Sequence, residues 1–239
     1  MSILVNDDCE GTNGASASGA HWNYLGVYSN THAKFGNTSV KLVDSASDTG
    51  AFGTAWQYTA GSANIAQRFY LWLDSSSMST GAVFTFSRDD WYAFYIRKDG
   101  AAGEGIWYGN WIETAPVVGA GTIALNQWIR VETLLDYGAN TYTCKIWNSP
   151  DSYGTPTATF GRTHSSGAGL GEFTFFAVNG NPYAATGTAY IDGAAVTDAG
   201  TWIGPIAVTQ TYTASVSLTV QTTRSANLAG TAQYNNYKF

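Results

Sequence analysis

The segment Trp128–Trp147, WIRVETLLDYGANTYTCKIW, decides the fold class. Ile129, Val131, Thr133 and Leu135 alternate with Arg130, Glu132 and Leu134, the period of a strand with one buried face. Asp136–Asn140 supplies a reversal, in which Gly138 and Asn140 tolerate positive φ. The return strand sets Tyr142, Cys144 and Ile146 on one face and Thr141, Thr143, Lys145 and Trp147 on the other. This spacing predicts a β-hairpin, with Arg130, Glu132 and Lys145 sharing the wetter face of a sheet and forming a cross-strand ion pair. A hairpin alone does not hold together in water, so the rest of the chain must supply more strands and a second layer.

Outward from the hairpin the same pattern recurs. Toward the N-terminus, strands are expected at Ile3–Asn6, Ser39–Val43, Ala51–Tyr58, Ala63–Leu73, Ala82–Ser87, Trp91–Arg97 and Glu104–Trp111. Beyond the hairpin they are expected at Thr157–Phe160, Glu172–Val178 and Ala189–Val196. Turn signals separate them at roughly ten-residue spacing, and no segment carries a helical period. The pattern predicts an all-β, antiparallel β-sandwich or barrel.

From Ile206 to Gln221 the alternation runs unbroken for sixteen residues, against ~5–6 for a usual strand. Gly204-Pro205 marks the boundary before it. Two parts are therefore expected: a sandwich over 1–205 and a C-terminal β extension over 206–239. The extension either buries its apolar face against another copy or a partner, forms a small appended unit, or returns to cover the sandwich.

Composition narrows the function. Of the 239 residues only 12% are charged and 15% are aromatic, and the net charge is −6. With no Lys/Arg cluster, nucleic acid and anionic membrane surfaces are not expected partners. No apolar run approaches the ~20 residues that span a bilayer. The N-terminus, MSILVNDDCEG, has no basic n-region or apolar h-region, so no signal peptide is expected. Cys9 and Cys144 both fall at inward positions and read as two buried free thiols rather than a disulfide.

Four cues resemble the concanavalin A-like (laminin-G-like) jelly roll: Asn6–Gly11, Phe35–Leu42, Leu125–Glu132 and Tyr190–Gly193. The resemblance covers about the first 205 residues. The first and last cues are also similar to those of galactose-binding-like carbohydrate modules. The Trp202–Pro205 ending with a Thr/Val-rich tail resembles minor tail or other virion proteins of phages. What the resemblance implies is a non-catalytic virion structural protein, of the minor tail or capsid-decorating type. It would display a lectin-like sandwich, adhere to host-surface glycans, and oligomerise or join other virion proteins through 206–239. A carbohydrate-binding module of a secreted protein is the alternative, and a glycan hydrolase or lyase of the same fold is the third reading.

Catalysis has little to rest on. Glycosidases of this jelly roll need paired carboxylates on one face, whereas Glu104, Glu113, Glu132 and Glu172 each stand alone. His21, His32 and His164 lie in loop-like segments without a recognisable partner. No nucleophile elbow, phosphate loop or Cys/His metal spacing is present, so no catalytic residue and no cofactor is expected. Calcium is the one ion the acids would suit: Asp8, Glu10 and Asp192 match the positions that hold it in some sandwich modules. Solvated turn acids are the plainer account of them. Trp91, Trp107, Tyr108 and Trp111 are the candidates for stacking on sugar faces. In each pair of neighbouring rings, one must point outward from a regular strand.

Overall fold

The computed structural model describes residues 3–17, 22–23, 26–44, 55–56, 64–77, 83–88, 93–98, 104–109, 123–136, 139, 141–163, 174–178 and 187–207. The chain divides into Met1–Ala207 and Val208–Phe239. The second unit, and with it most of the expected extension, lies outside the described residues. Ile206 and Ala207 are irregular chain.

The described residues form fourteen strands and no helix. They are β1 (Ile3–Asp7), β2 (Trp22–Asn23), β3 (Val27–Ser29), β4 (Ser39–Asp44), β5 (Ala55–Trp56), β6 (Ile65–Leu73) and β7 (Val83–Arg88). Then follow β8 (Ala93–Lys98), β9 (Glu104–Gly109), β10 (Trp128–Asp136), β11 (Thr141–Trp147), β12 (Ala158–Thr163), β13 (Thr174–Val178) and β14 (Gly187–Thr197). An eight-stranded sheet runs β12-β11-β10-β6-β14-β4-β3, with β1 also paired to β14. A four-stranded sheet runs β13-β7-β8-β9, and β2 pairs β5. Every pairing is antiparallel. Strand β13 lies against β4, β5 and β14, which makes the arrangement a two-layer sandwich.

The hairpin forms as its pattern dictates. Residues Arg130–Asp136 pair with Trp147–Thr141 in unbroken register. One face of the large sheet is mainly apolar: Ile129 and Val131 on β10, Phe69 and Leu71 on β6, Ile146 on β11, Ile191 on β14 and Val40 on β4 are all buried, and among them the buried Thr133 hydroxyl donates to Gln67 Oε1 at 3.2 Å. Each such side chain contributes about 1.5–3 kcal/mol when fully removed from water. Cys9 and Cys144 are buried and free, as expected, and burial raises both thiol pKa values well above the ordinary range.

Strand β14 changes partners along its length. Gly187–Ile191 pair with β4, and Ala194–Thr197 pair with β1. The change falls at a bulge, where β14 carries an extra residue against β6 between Asp192 and Ala195. Gly193 supplies the bulge with φ +54, a left-handed conformation that glycine adopts without penalty.

Candidate functional site

Two faces of the sandwich hold the residues that carry chemistry. The first is the outer face of the large sheet. Arg130 and Glu132 do share a face with Lys145, since Glu132 stands opposite Lys145 and Arg130 opposite Trp147. That face is not wet. Both side chains are 1% exposed, and Arg130 Nε lies 2.8 Å from Glu132 Oε1, close enough for an ion pair although the N–H is not aligned as a hydrogen bond. The expected pair with Lys145 does not form: its ammonium sits 4.0 Å above the Trp202 ring. The physical reason is that loops and the segment after β14 cover this face.

Each covering segment is held by a buried polar side chain. Arg130 Nη1 donates to the carbonyls of Pro150 and Ser152, and its guanidinium stacks 3.9 Å from the Trp147 ring. Trp147 Nε1 donates in turn to Gly154 O at 2.9 Å. Glu132 Oε2 accepts the N–H groups of Ile203 and Gly204, both at 3.1 Å. Arg68 donates to Gly193 O and to Gly204 O, and Tyr70 Oη accepts the Ile206 N–H at 2.8 Å. Burial lowers the Arg68 pKa from its ordinary value and raises that of Tyr70. Sequence reasoning missed Arg68 and Tyr70. The available signal was Gln67-Arg68 in the middle of the otherwise apolar Ile65–Leu73, which places a charge in a strand buried on both faces.

The acids proposed for calcium serve the chain itself. Glu10 Oε1 accepts the N–H groups of Asn37 and Thr38. Asp192 Oδ2 accepts those of Lys34 and Phe35 at 2.7 and 3.0 Å. The two carboxylates therefore secure one turn, Lys34–Thr38, in which Gly36 has φ +58. Asp8 is exposed and accepts the Glu10 N–H at 3.3 Å. Among the described residues no group of three or more His, Cys, Asp or Glu side chains gathers to hold a metal ion, so Asp8, Glu10 and Asp192 are not one ligand set here. Asp192 Oδ1 is buried without a hydrogen-bond partner. Burial raises this carboxyl to about 7, against the lowering effect of the Phe35, Lys34 and Gly193 N–H groups, and the Glu10 charge adds to the rise.

His32, in a loop as expected, stacks on Trp72 at 4.1 Å and meets Tyr190 edge-on at 4.7 Å. His21 and His164 lie outside the described residues.

The second face belongs to the four-stranded sheet. Register places Trp107 opposite Tyr95, Tyr95 opposite Thr85, and Thr85 opposite Phe176. The next row on that face holds Gly105, Arg97, Val83 and Val178. The alternate positions are Ile106, Tyr108, Phe94, Ile96, Phe84, Phe86 and Ala177, with the charged pair Lys98 and Glu104 at the strand ends, a mainly apolar set that the pattern assigns to the core. Trp107 and Tyr108 thus occupy opposite faces, and Trp107 is the one on the mixed aromatic and polar face. Trp91 and Trp111 lie outside the described residues.

No protein-family model and no curated protein matches this chain. Solved structures do. A cellulose-induced protein, Cip1, is 12% identical over 84% of this chain and 99% of its own, with a TM-score of 0.55. An uncharacterised protein from Mycobacterium paratuberculosis is 13% identical over 81% of this chain and all of its own (100%), with a TM-score of 0.50. Peanut lectin is 10% identical over 81% and 97%, with a TM-score of 0.45. At these identities the likeness shows the fold alone: the chain has an all-β, antiparallel jelly-roll sandwich like that of Cip1.

Proposed function

We propose that this chain is a non-catalytic adhesion module of a phage virion, one that binds host-surface glycans through the outer face of its four-stranded sheet. The cross-strand row Trp107–Tyr95–Thr85–Phe176 carries this reading. Three of its four register positions are aromatic, Trp107, Tyr95 and Phe176, with Thr85 between the last two, and a ring with a polar tip suits a partly wet sugar face. Arg97, one row away, adds a donor for hydroxyl or carboxylate groups. A non-enzymatic role is supported by what the central acids and arginines of the large sheet do: Arg68, Arg130, Glu132 and Asp192 all bind backbone groups of the chain itself. Residues 206–239 would join the module to its own copies or to other virion proteins.

A glycan array with the full chain tests binding, and the bound glycans are then checked for cleavage products. Retention without turnover is the expected result. Turnover would move the assignment to a lyase or hydrolase of this fold, and no retained glycan would overturn the adhesion reading. Solution mass of the full chain beside one ending at Ala207 tests assembly, the expected result being an oligomer that becomes a folded monomer.

A further inference from the structure

We propose that Arg68, Tyr70 and Glu132 form a clamp that reads the backbone of Ile203–Ile206 and locks the chain's exit from the sandwich. The segment after β14 has no strand partner, yet its polar groups are matched in turn by buried side chains. The Ile203 and Gly204 N–H groups meet one carboxylate oxygen of Glu132, and the Gly204 carbonyl meets Arg68 Nη1. The Ile206 N–H meets the Tyr70 hydroxyl. Pro205 has no N–H to place, and it is buried. Trp202 closes the segment at its start, beneath the Lys145 ammonium.

The clamp reads main-chain geometry rather than side-chain identity, apart from three positions. Gly204 takes φ +80, which lets its N–H and carbonyl reach opposite charges, and Pro205 fixes the next φ. Ile206 Cδ1 lies over the bulge glycine, 2.8 Å from where a Cβ on Gly193 would stand. The same Gly193 offers its carbonyl to Arg68. The bulge that switches β14 between partners therefore also builds the socket for Ile206.

Release would leave the Glu132 oxygen and one Arg68 N–H without those partners inside the sheet face, the costly way to open a buried charge pair. Residues 203–206 should accordingly open only with the strands beneath them. A load applied through residues after 207 would reach β6 and β10 directly rather than through β14 alone. This lock is independent of what the outer face of the four-stranded sheet binds.

Hydrogen exchange on the full chain, read by mass spectrometry and by NMR at single amides, tests the clamp. The amides of Ile203, Gly204 and Ile206 should exchange as slowly as those of central β6 and β10. In Tyr70→Phe the Ile206 amide should exchange about tenfold faster, the equivalent of one ordinary hydrogen bond, while β4 amides keep their rates. Chymotrypsin gives a second readout: wild type should resist cleavage after Trp202, and the Tyr70→Phe variant should be nicked there first. Free-peptide exchange at Ile203 and Gly204 in wild type would overturn the lock. So would a uniform rise across the whole domain in the variant, which would make Tyr70 a core residue only.

Discussion

Arg130 and Glu132 pair within one strand, two residues apart, with 2.8 Å between Nε and Oε1 and 1% of each side chain exposed. A pair this deep is an obligation as much as a support. Both groups lost their water on folding, and only a full set of partners offsets that cost. Arg130 finds two carbonyls and an indole face, and Glu132 finds two N–H groups, so removing either member strands the other. Glu132→Gln should lower unfolding free energy by about 3–5 kcal/mol, read as a lower urea midpoint at unchanged m-value. A loss below about 1 kcal/mol, the size of an exposed pair, would contradict the burial.

Asp192 sets a pH dependence of opposite sign to that of an ordinary salt-bridged aspartate. Its carboxyl is raised by burial to about 7 in the fold, and returns to about 3.9 in the unfolded chain. Between these values the folded state holds the extra proton, so stability falls as pH climbs from about 4 to about 7 and is flat above. Asp192→Asn keeps an acceptor for the Lys34 and Phe35 N–H groups and removes the titration. The stability of wild type minus that of the variant should therefore decline over this window. A difference that rises with pH would show an ionised, well-partnered carboxylate instead.

Gly193 and Gly14 both have positive φ, but only one is crowded. At Gly193 a Cβ would stand 2.8 Å from Ile206 Cδ1 and 3.0 Å from Phe35 Cε2, whereas at Gly14 nothing lies within 4 Å. Gly14→Ala should cost only the left-handed backbone penalty, about 1–2 kcal/mol. Gly193→Ala adds overpacking of about 1–3 kcal/mol and disturbs the socket of Ile206. Thermal melts of the two variants should rank Gly193→Ala well below Gly14→Ala. Equal melting temperatures would mean that the bulge is free to shift.

These residues also mark how far the sequence could be read. The alternation Ile129, Val131, Thr133, Leu135 tells which side chains share a face, and the fold follows from repeating it. It does not tell what covers the opposite face. Arg130 and Glu132 read as wet because their covers, Pro150 to Ser152 and Ile203 to Gly204, are irregular segments without a period. Strands β2 and β3 are two and three residues long, too short to show alternation at all. Asp8, Glu10 and Asp192 read in sequence as calcium candidates or solvated turn acids, and Phe35–Thr38 as a turn; that Glu10 and Asp192 both secure this turn appears only when β14 and the N-terminal loop come together.

The pair Trp107 and Tyr108 was legible as one ring out and one ring in, but not which. Register with β8 sorts them onto two rows: Trp107 stands opposite Tyr95, and Tyr108 opposite Phe94. Tyr108 falls in the row that continues to Phe86, whose neighbouring row is Ile106, Ile96 and Phe84, so the pattern makes it a core position. Trp107→Ala should then abolish or sharply weaken retention of any glycan the array identifies, by about 1–3 kcal/mol if one stacking ring is lost, the cost found for ring stacking on nucleic-acid bases, with the melting temperature nearly unchanged. Tyr108→Ala should do the reverse, lowering stability by about 3–5 kcal/mol as large-to-small aromatic core changes do while the remaining folded fraction binds normally. Binding isotherms and melts on both variants check the assignment. Were Tyr108→Ala the variant that loses glycan and keeps its stability, the two faces of the four-stranded sheet would have to be exchanged, and the adhesion surface with them.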